Sequence, residues 1–293
     1  MKMIISADLH LREDKPRCRN DINWIETQEK ALKQLTKICI KKQSDLYLIG
    51  DIFHRSSEFK MVRLIQKLAD RLYEDELRLF YLCGNHDMLY HSSENIDKSA
   101  IGLLRGSRHC MTISDYFNVI LNDNSVSASN FDQKDNENAE IVFKHILTMP
   151  EKNPMFDSET PETLTEKFPK AKYIFTGDYH RNFCKKVNDT YVINPGCLLR
   201  QTSDMKDYQC GVYYVDTDNQ EIEFIPIIDI GDVIDDSYLM KEKEREERIE
   251  KFANKLKDTN SVSLDFISNV QKQLKINKFD DELKNTIEEL LEA

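Results

Sequence analysis

No stretch of the 293 residues is apolar for long enough to cross a membrane as a helix. The opening "MKMIISADLH" has one lysine and a short apolar run, but aspartate and histidine interrupt it at once, so it reads as a first strand and not as a signal peptide. The seven cysteines (Cys18, Cys39, Cys83, Cys110, Cys184, Cys197, Cys210) are an odd number with no C-x-x-C pair. That argues against a disulfide framework or a cysteine zinc site, and fits free thiols in a reducing cytoplasm. No internal repeat is visible, which sets aside solenoids and propellers. Glycine occurs only eight times, and Gly50, Gly84 and Gly177 each close an apolar run just before polar residues.

Positive charge is also short: 41 lysines and arginines face 52 acids, a net charge of −11. This does not exclude a nucleic-acid substrate. From Asp229 onward there are 17 acids and 11 bases, which leaves 35 acids and 30 bases before it. Two bound divalent cations would nearly neutralise that larger part, and local bases could then dominate near a site.

With 40% hydrophobic and 32% charged residues, the composition is that of a globular protein with a charged surface. Up to about residue 82 the pattern alternates. "KMIIS" reads as a strand, and "WIETQEKALKQLTKICIKK" as a helix with Ile25, Leu32, Leu35 and Cys39 on one side. "SDLYLIG" is a strand, "EFKMVRLIQKLADRLY" a helix and "LRLFYLC" a strand. Such β-α-β-α-β order implies parallel neighbours with helices packed on the sheet. Shorter segments follow: "FNVIL", "AEIVFKHIL", "KYIFTG", "KKVNDTYVIN", "CGVYYVD" and "QEIEFIPI", with hairpins at "VNDTYV" and "VDTDNQEIE". The expected fold is a mixed α/β sandwich of two sheets over residues 1–228. "NDNSVSASNFDQKDNENAE" is polar enough for a surface excursion. Residues 229–293 read as a helical appendage, with apolar stripes at Ile249, Phe252, Ala253 and Leu256 and at Phe279, Leu283, Ile287 and Leu290.

Polar residues recur where strands end. "SADLH" places Asp8 and His10 past the first strand, "GDIFHR" places Asp51 past the second, and "GNHD" places Asn85 and His86 past the third. "VFKHIL" supplies His145 near the end of a later strand, and "GDYH" supplies Asp178 and His180 after another. Asn and Asp also make ordinary turns. It is their recurrence with histidine at strand carboxyl ends, where α/β sheets bind ligands, that predicts one convergent site. Residues two apart in an extended chain point the same way, so Asp8 with His10, and Asp178 with His180, can each grip one ion. Carboxylate, amide and imidazole together suit Mn, Fe or Zn better than an all-oxygen magnesium cage.

In this order, "DLH", "GD", "GNHD", His145 and "GDYH" resemble the motif series of the metallophosphoesterase (calcineurin-like) superfamily. The resemblance covers roughly residues 1–228 and implies that superfamily's αββα sandwich. Asp8, His10, Asp51 and His180 would hold a first metal. Asp51, Asn85, His145 and Asp178 would hold a second, with Asp51 as the bridge. His86 would be catalytic. One position departs from the series, since Asp178 stands where the superfamily has histidine. Within the superfamily, "GDIFH", the opening "MKMIISADLHLRE" and the late "INPGC" resemble the nuclease subunit of the bacterial SbcCD complex and its phage relatives. His54 then matches a histidine that positions the scissile phosphate.

That resemblance implies phosphodiester hydrolysis with two divalent cations, manganese first and magnesium, iron or zinc as the others. It implies DNA as substrate, with exonuclease and endonuclease activity at DNA ends, and an SMC-like ATPase of the SbcC type as partner. A homodimer is the other use for the apolar stripes of the appendage, and no membrane is involved. Arg12, Lys15, Arg17, Arg19, Arg55 and Arg181 follow the metal motifs and are expected to grip phosphate. Asp87 is expected to orient His86. His91 and His109 read as surface or turn residues. The competing reading is a phosphodiesterase or phosphatase of the same fold acting on a small molecule, and a further one is a scaffold without catalysis.

Overall fold

A computed structural model describes residues 1–121, 125–129 and 135–228, together with Ile234, Asp235, Ser237, Arg248 and Leu274. One compact unit runs Met1–Asp235 and a second Asp236–Ala293. Apart from five positions, the helical appendage expected over 229–293 lies outside the described residues.

The first unit is built on the alternation expected from the sequence. Strand β1 (Lys2–Ser6) leads to helix α1 (Trp24–Lys42), β2 (Asp45–Ile49), helix α2 (Val62–Glu74) and β3 (Leu79–Leu82). Asn23 starts α1 by accepting the Glu26 N–H, which satisfies one of the open donors of a first helical turn. The buried stripe of α1 includes Trp24, Ala31, Leu32, Leu35 and Cys39, while Ile25 is 39% exposed. Ile25 thus falls outside the stripe assigned to it, and Trp24 takes its place, lying under the guanidinium of Arg19 at 4.8 Å. After the short helix α3 (Ala100–Arg105) comes β4 (Cys110–Thr112). The expected strand "FNVIL" is instead part of a wide helical turn, Asp115–Ile120. Tyr116 and Phe117, consecutive residues, both pack on Phe80, which a strand's alternating faces would not allow.

The second half supplies β5 (Val126–Ser129), β6 (Ile141–Leu147), α4 (Pro161–Lys167), β7 (Tyr173–Gly177), β8 (Phe183–Val187), β9 (Thr190–Asn194), β10 (Gly211–Asp216) and β11 (Glu221–Pro226). Strand β5 lies inside the polar stretch read as a surface excursion. Its small side chains let it pair parallel with β6, and Val126 and Ser129 are buried. Both expected hairpins are present, as β8–β9 and β10–β11.

Two mixed sheets result, ordered β11-β10-β1-β2-β3-β4 and β5-β6-β7-β9-β8. β10 runs antiparallel to β1, and β8 antiparallel to β9, while the central strands are parallel. One apolar layer contains Met3, Ile5, Tyr47, Ile49 and Phe80 from the first sheet and Phe143, Phe175 and Ile193 from the second. Tyr47 stacks on Phe143 at 5.3 Å, so aromatic faces join the sheets. The alternate residues Ile4, Leu46 and Leu48 pack with residues of α1 and α2, and Val142, Ile174 and Val192 pack with Leu164 and Phe168. Strands buried on both faces explain the nearly continuous apolar runs of the sequence. Ile234 pairs with Arg19, which carries the first unit past the change of composition at residue 229.

Candidate metal centre

The central parallel strands end on the same side, and their continuations are tied together. The Asp8 N–H donates to the Gly50 carbonyl at 3.2 Å, and the His10 N–H to the Asp51 carbonyl at 2.9 Å. Asp51 Oδ1 accepts the His86 N–H at 2.9 Å, which joins the "GNHD" turn to the "GD" turn. Asp87 is fully buried and accepts from Gly84, Ile52 and Phe53 backbone N–H groups. It therefore holds two turns together and does not orient His86 as expected. That task falls to the His54 carbonyl, to which His86 Nδ1 donates at 2.8 Å.

Close approach explains the glycines. A Cβ on Gly50, whose φ is +77°, would lie 2.2 Å from His145 Nδ1, and one on Gly84 would lie 2.1 Å from Asp51 Oδ1. Neither position tolerates a side chain.

Most of the predicted ligands converge. Asp8, His10 and His180 place a ligand atom each within 4.8 Å of one another, and so do Asp8, Asp51 and His145. His10 Nε2 and His180 Nε2 face each other at 3.0 Å. Asp51 Oδ2 lies 3.7 Å from His10 Nε2, and Oδ1 lies 3.4 Å from His145 Nε2, so its two oxygens address different halves of the site. Asn85 Oδ1 is 3.1 Å from His145 Nε2. His145 Nδ1 donates to the Ile49 carbonyl at 2.8 Å, which leaves Nε2 for a ligand. Asp178 differs: its carboxylate joins neither triad among the described residues, and its backbone N–H reaches both oxygens of Asp8 at 3.1 Å.

This donor set fits divalent cations. His10 Nδ1 and Asp51 Oδ2 are buried without a hydrogen-bond partner. Two imidazole nitrogens aimed at one point, with a carboxylate beside them, are what a shared cation would satisfy. The charges agree. Burial holds His10 and His180 below the usual imidazole range, so they stay neutral. Burial pushes Asp8 up. Burial alone would raise Asp51, but His145 and His10 outweigh it and hold the carboxyl low. Burial would lower His145, yet Asp51, with Asp8 and Asp178 behind it, raises it to about 10.

The backbone is strained at the same residues. Asp8, His10, Asp51 and Asp178 have φ of 48°, 43°, 48° and 73°. Left-handed backbone at non-glycine residues collects at functional sites.

His54 stands beside this group, its ring 5.7 Å from those of His10 and of His86. Burial, then Arg12, push it down to about 4, so it is neutral at ordinary pH. The expected phosphate-gripping bases are engaged elsewhere. Arg19 is 1% exposed, spans both oxygens of Asp21 and donates to the Arg200 carbonyl, so it supports structure and does not reach a substrate. Arg12 pairs with Asp14, Arg55 lies 3.5 Å from the same carboxylate, and Arg181 is 3.1 Å from Asp204. Lys15 donates to the Asp21 carbonyl, and Arg17 is exposed. His109 donates to Asp70 and stacks on Tyr73. His91, read as a turn residue, donates to the Asn85 carbonyl at 3.0 Å and so steadies a site residue. Nothing in its sequence context signals this contact, because the accepting group is backbone.

A family model described as the calcineurin-like phosphoesterase superfamily domain matches residues 1–220. No curated protein matches the chain. Among solved structures, TT1561 of Thermus thermophilus shares 11% identity, covering 78% of this chain and 99% of its own, with a TM-score of 0.47. A structure described as a novel archaeal phosphodiesterase shares 14% identity over 77% of this chain and 99% of its own, TM-score 0.40. The calcineurin-like phosphoesterase YfkN from Bacillus subtilis shares 10% over 80% and 92%, TM-score 0.42.

Proposed function

We propose, for a chain that belongs to the calcineurin-like phosphoesterase superfamily, that the site hydrolyses a small phosphodiester. The carrying observation is a pair of ligand triads that share Asp8, with Asp51 between them: its Oδ2 faces His10 of one triad and its Oδ1 faces His145 of the other. Asp8, His10, His180 and Asp51 Oδ2 would hold one divalent cation; Asp51 Oδ1, Asn85 and His145 would hold the other. Asp178 serves this set through its N–H on Asp8. Two such cations supply positive charge at a phosphate and make water a better nucleophile near neutral pH. His86, fixed through Nδ1 on the His54 carbonyl, presents Nε2 to give a proton to the leaving oxygen. Manganese is the first ion to try, since imidazole and carboxylate are mixed in the set.

Paired bases favour a small substrate over DNA. Arg12, Arg19, Arg55 and Arg181, four of the bases expected to grip phosphate, each have an acidic partner and so offer a nucleic-acid backbone less positive charge. The second reading is an SbcD-type nuclease acting on DNA ends. It is supported by "GDIFH" and by His54 beside His10 and His86, where it can position a phosphate. An SMC-like ATPase partner, or a homodimer, belongs to that second reading and rests on the apolar stripes of residues 229–293.

The test is hydrolysis of bis-p-nitrophenyl phosphate and of end-labelled single- and double-stranded DNA, each with Mn²⁺, Mg²⁺ or chelator. Manganese-dependent turnover of the small diester alone is expected. DNA cleavage would promote the second reading. Two bound ions with no hydrolysis of any phosphoester would remove both and leave the scaffold.

A further inference from the structure

We propose that His10, His54 and His86 form a nitrogen-only trap for a late first-row cation such as Zn²⁺. This trap is distinct from the two carboxylate-bearing triads and excludes one of them. The three residues each offer a nitrogen, and those atoms lie within 4.8 Å of one another. Their rings stand 4.9 Å apart for His10 and His86, and 5.7 Å for the other two pairs. His10 is buried, with its ring edge-on to those of both His86 and His180 at 4.9 Å. The His86 ring is pinned by its Nδ1 bond to the His54 carbonyl, so its other nitrogen is free to bind.

Three imidazoles and no carboxylate select the ion. Zinc binds imidazole tetrahedrally at about 2.0–2.1 Å, and three histidines with one open position make a stable zinc site. Manganese and magnesium prefer oxygen and stay with the carboxylate triads. Tetrahedral zinc needs its nitrogens about 3.3–3.4 Å apart. From separations of at most 4.8 Å the imidazoles need to close by no more than about 1.5 Å, and half-exposed His54 is the one placed to move.

Two consequences follow from shared residues. His10 also belongs to the triad with Asp8 and His180, which it faces through Nε2, so zinc held by that nitrogen takes a ligand from that triad. Zinc there also occupies His86. Which cation is loaded thus decides whether these imidazoles are available or tied up, whatever the substrate is.

The test uses the full chain stripped of metal, with Co²⁺ as a visible probe for zinc, and needs no substrate. Cobalt on three imidazoles in a tetrahedral site absorbs intensely, while a six-coordinate oxygen-rich site is nearly colourless. The wild type should show the intense band. His54→Ala should lose it and bind zinc at least about 10-fold more weakly, the loss seen when even an outer partner of a zinc ligand is removed. Equilibrium dialysis should find manganese binding unchanged, which also reports that the fold is intact. His54→Cys, which restores a soft ligand, should recover zinc affinity and add a thiolate-to-cobalt charge-transfer band. The proposal is overturned if the wild type shows only faint bands, or if His54→Ala keeps the intense band. It also fails if His54→Ala loses manganese as much as zinc, or if His54→Cys shows no charge transfer.

Discussion

The six-stranded sheet hands its polar residues to the site beyond the last paired residue of each strand, whereas the five-stranded sheet supplies His145 from inside β6. Asp8, Asp51, Asn85 and His86 stand on turns after β1, β2 and β3. His145 lies within Ile141–Leu147, where the pairing of β6 with β7 shifts register between Lys144 and Leu147. Such irregularities re-aim a side chain without ending the strand. The same sheet also provides His180, but from a turn after β7, half-buried. A turn residue answers mainly to its ligand. A strand residue answers to its ligand and to the core, because His145 also satisfies the Ile49 carbonyl.

The largest effect is expected at the residue shared by both halves. Asp51→Asn keeps the shape but removes the charge between His10 and His145, so hydrolysis should fall to background and metal content below two ions. Elemental analysis beside a diester assay checks this, and near-normal turnover with two ions would sink the two-metal reading. Next comes His86→Ala, which should cost ~10²–10⁴-fold in rate with both ions retained, the usual loss for a general acid. An ion lost from this variant would move His86 into the ligand set.

Strand and turn are separated directly by His145→Ala and His180→Ala. Each should lose one ion. Only His145→Ala should also destabilise the metal-free protein, by about 1–3 kcal/mol, since it strands a buried carbonyl. Urea unfolding measures the difference, and equal losses would mean that the strand and turn histidines carry the same structural load.

The smallest effect concerns protons. His145 is raised to about 10 in the metal-free protein, so near neutral pH it carries a proton that a cation must displace. His180, kept low by burial, carries none. Metal loading should therefore release about one proton, and affinity should rise about tenfold per pH unit towards that value. For the metal-free fold the sign is opposite. A raised imidazole stabilises fully below about 6.5, its ordinary value, and that contribution is lost as pH rises through about 10. Calorimetry in buffers of different protonation enthalpy counts the proton; no release from the wild type would contradict this assignment.

Much of the first sheet was legible because each helix and strand is long enough to show its period. Helix α1 has the bounds that its apolar spacing predicts, though Ile25 proved exposed and Trp24 buried, since spacing gives the stripe and not its edge. The site's residues could be read because strand ends are marked by glycine before a charged group. Less legible were segments whose character depends on distant partners. "FNVIL" has a strand's composition but meets Phe80 as a helical turn, and β5 is too polar to look like a strand until β6 lies beside it. Arg19 looked like a phosphate ligand because its partners, Asp21, Trp24 and the Arg200 carbonyl, meet it only in the fold. Asp87 bonds only to backbone N–H groups, and no residue pattern reveals such partners.

The left-handed backbone at Asp8, His10, Asp51 and Asp178 bears on the order of assembly. Each such residue costs on the order of 1–3 kcal/mol and persists only where its surroundings over-determine it. An unfolded chain has no reason to hold these four shapes, and the Asp178 N–H finds Asp8 only across 170 residues. We predict that the sheets dock first and the metal pocket sets last. Cations would then stabilise the finished protein by slowing its unfolding while leaving its refolding rate unchanged. Stopped-flow refolding with and without Mn²⁺ decides the matter: acceleration by the ion would mean that it gathers the turns before the sheets meet.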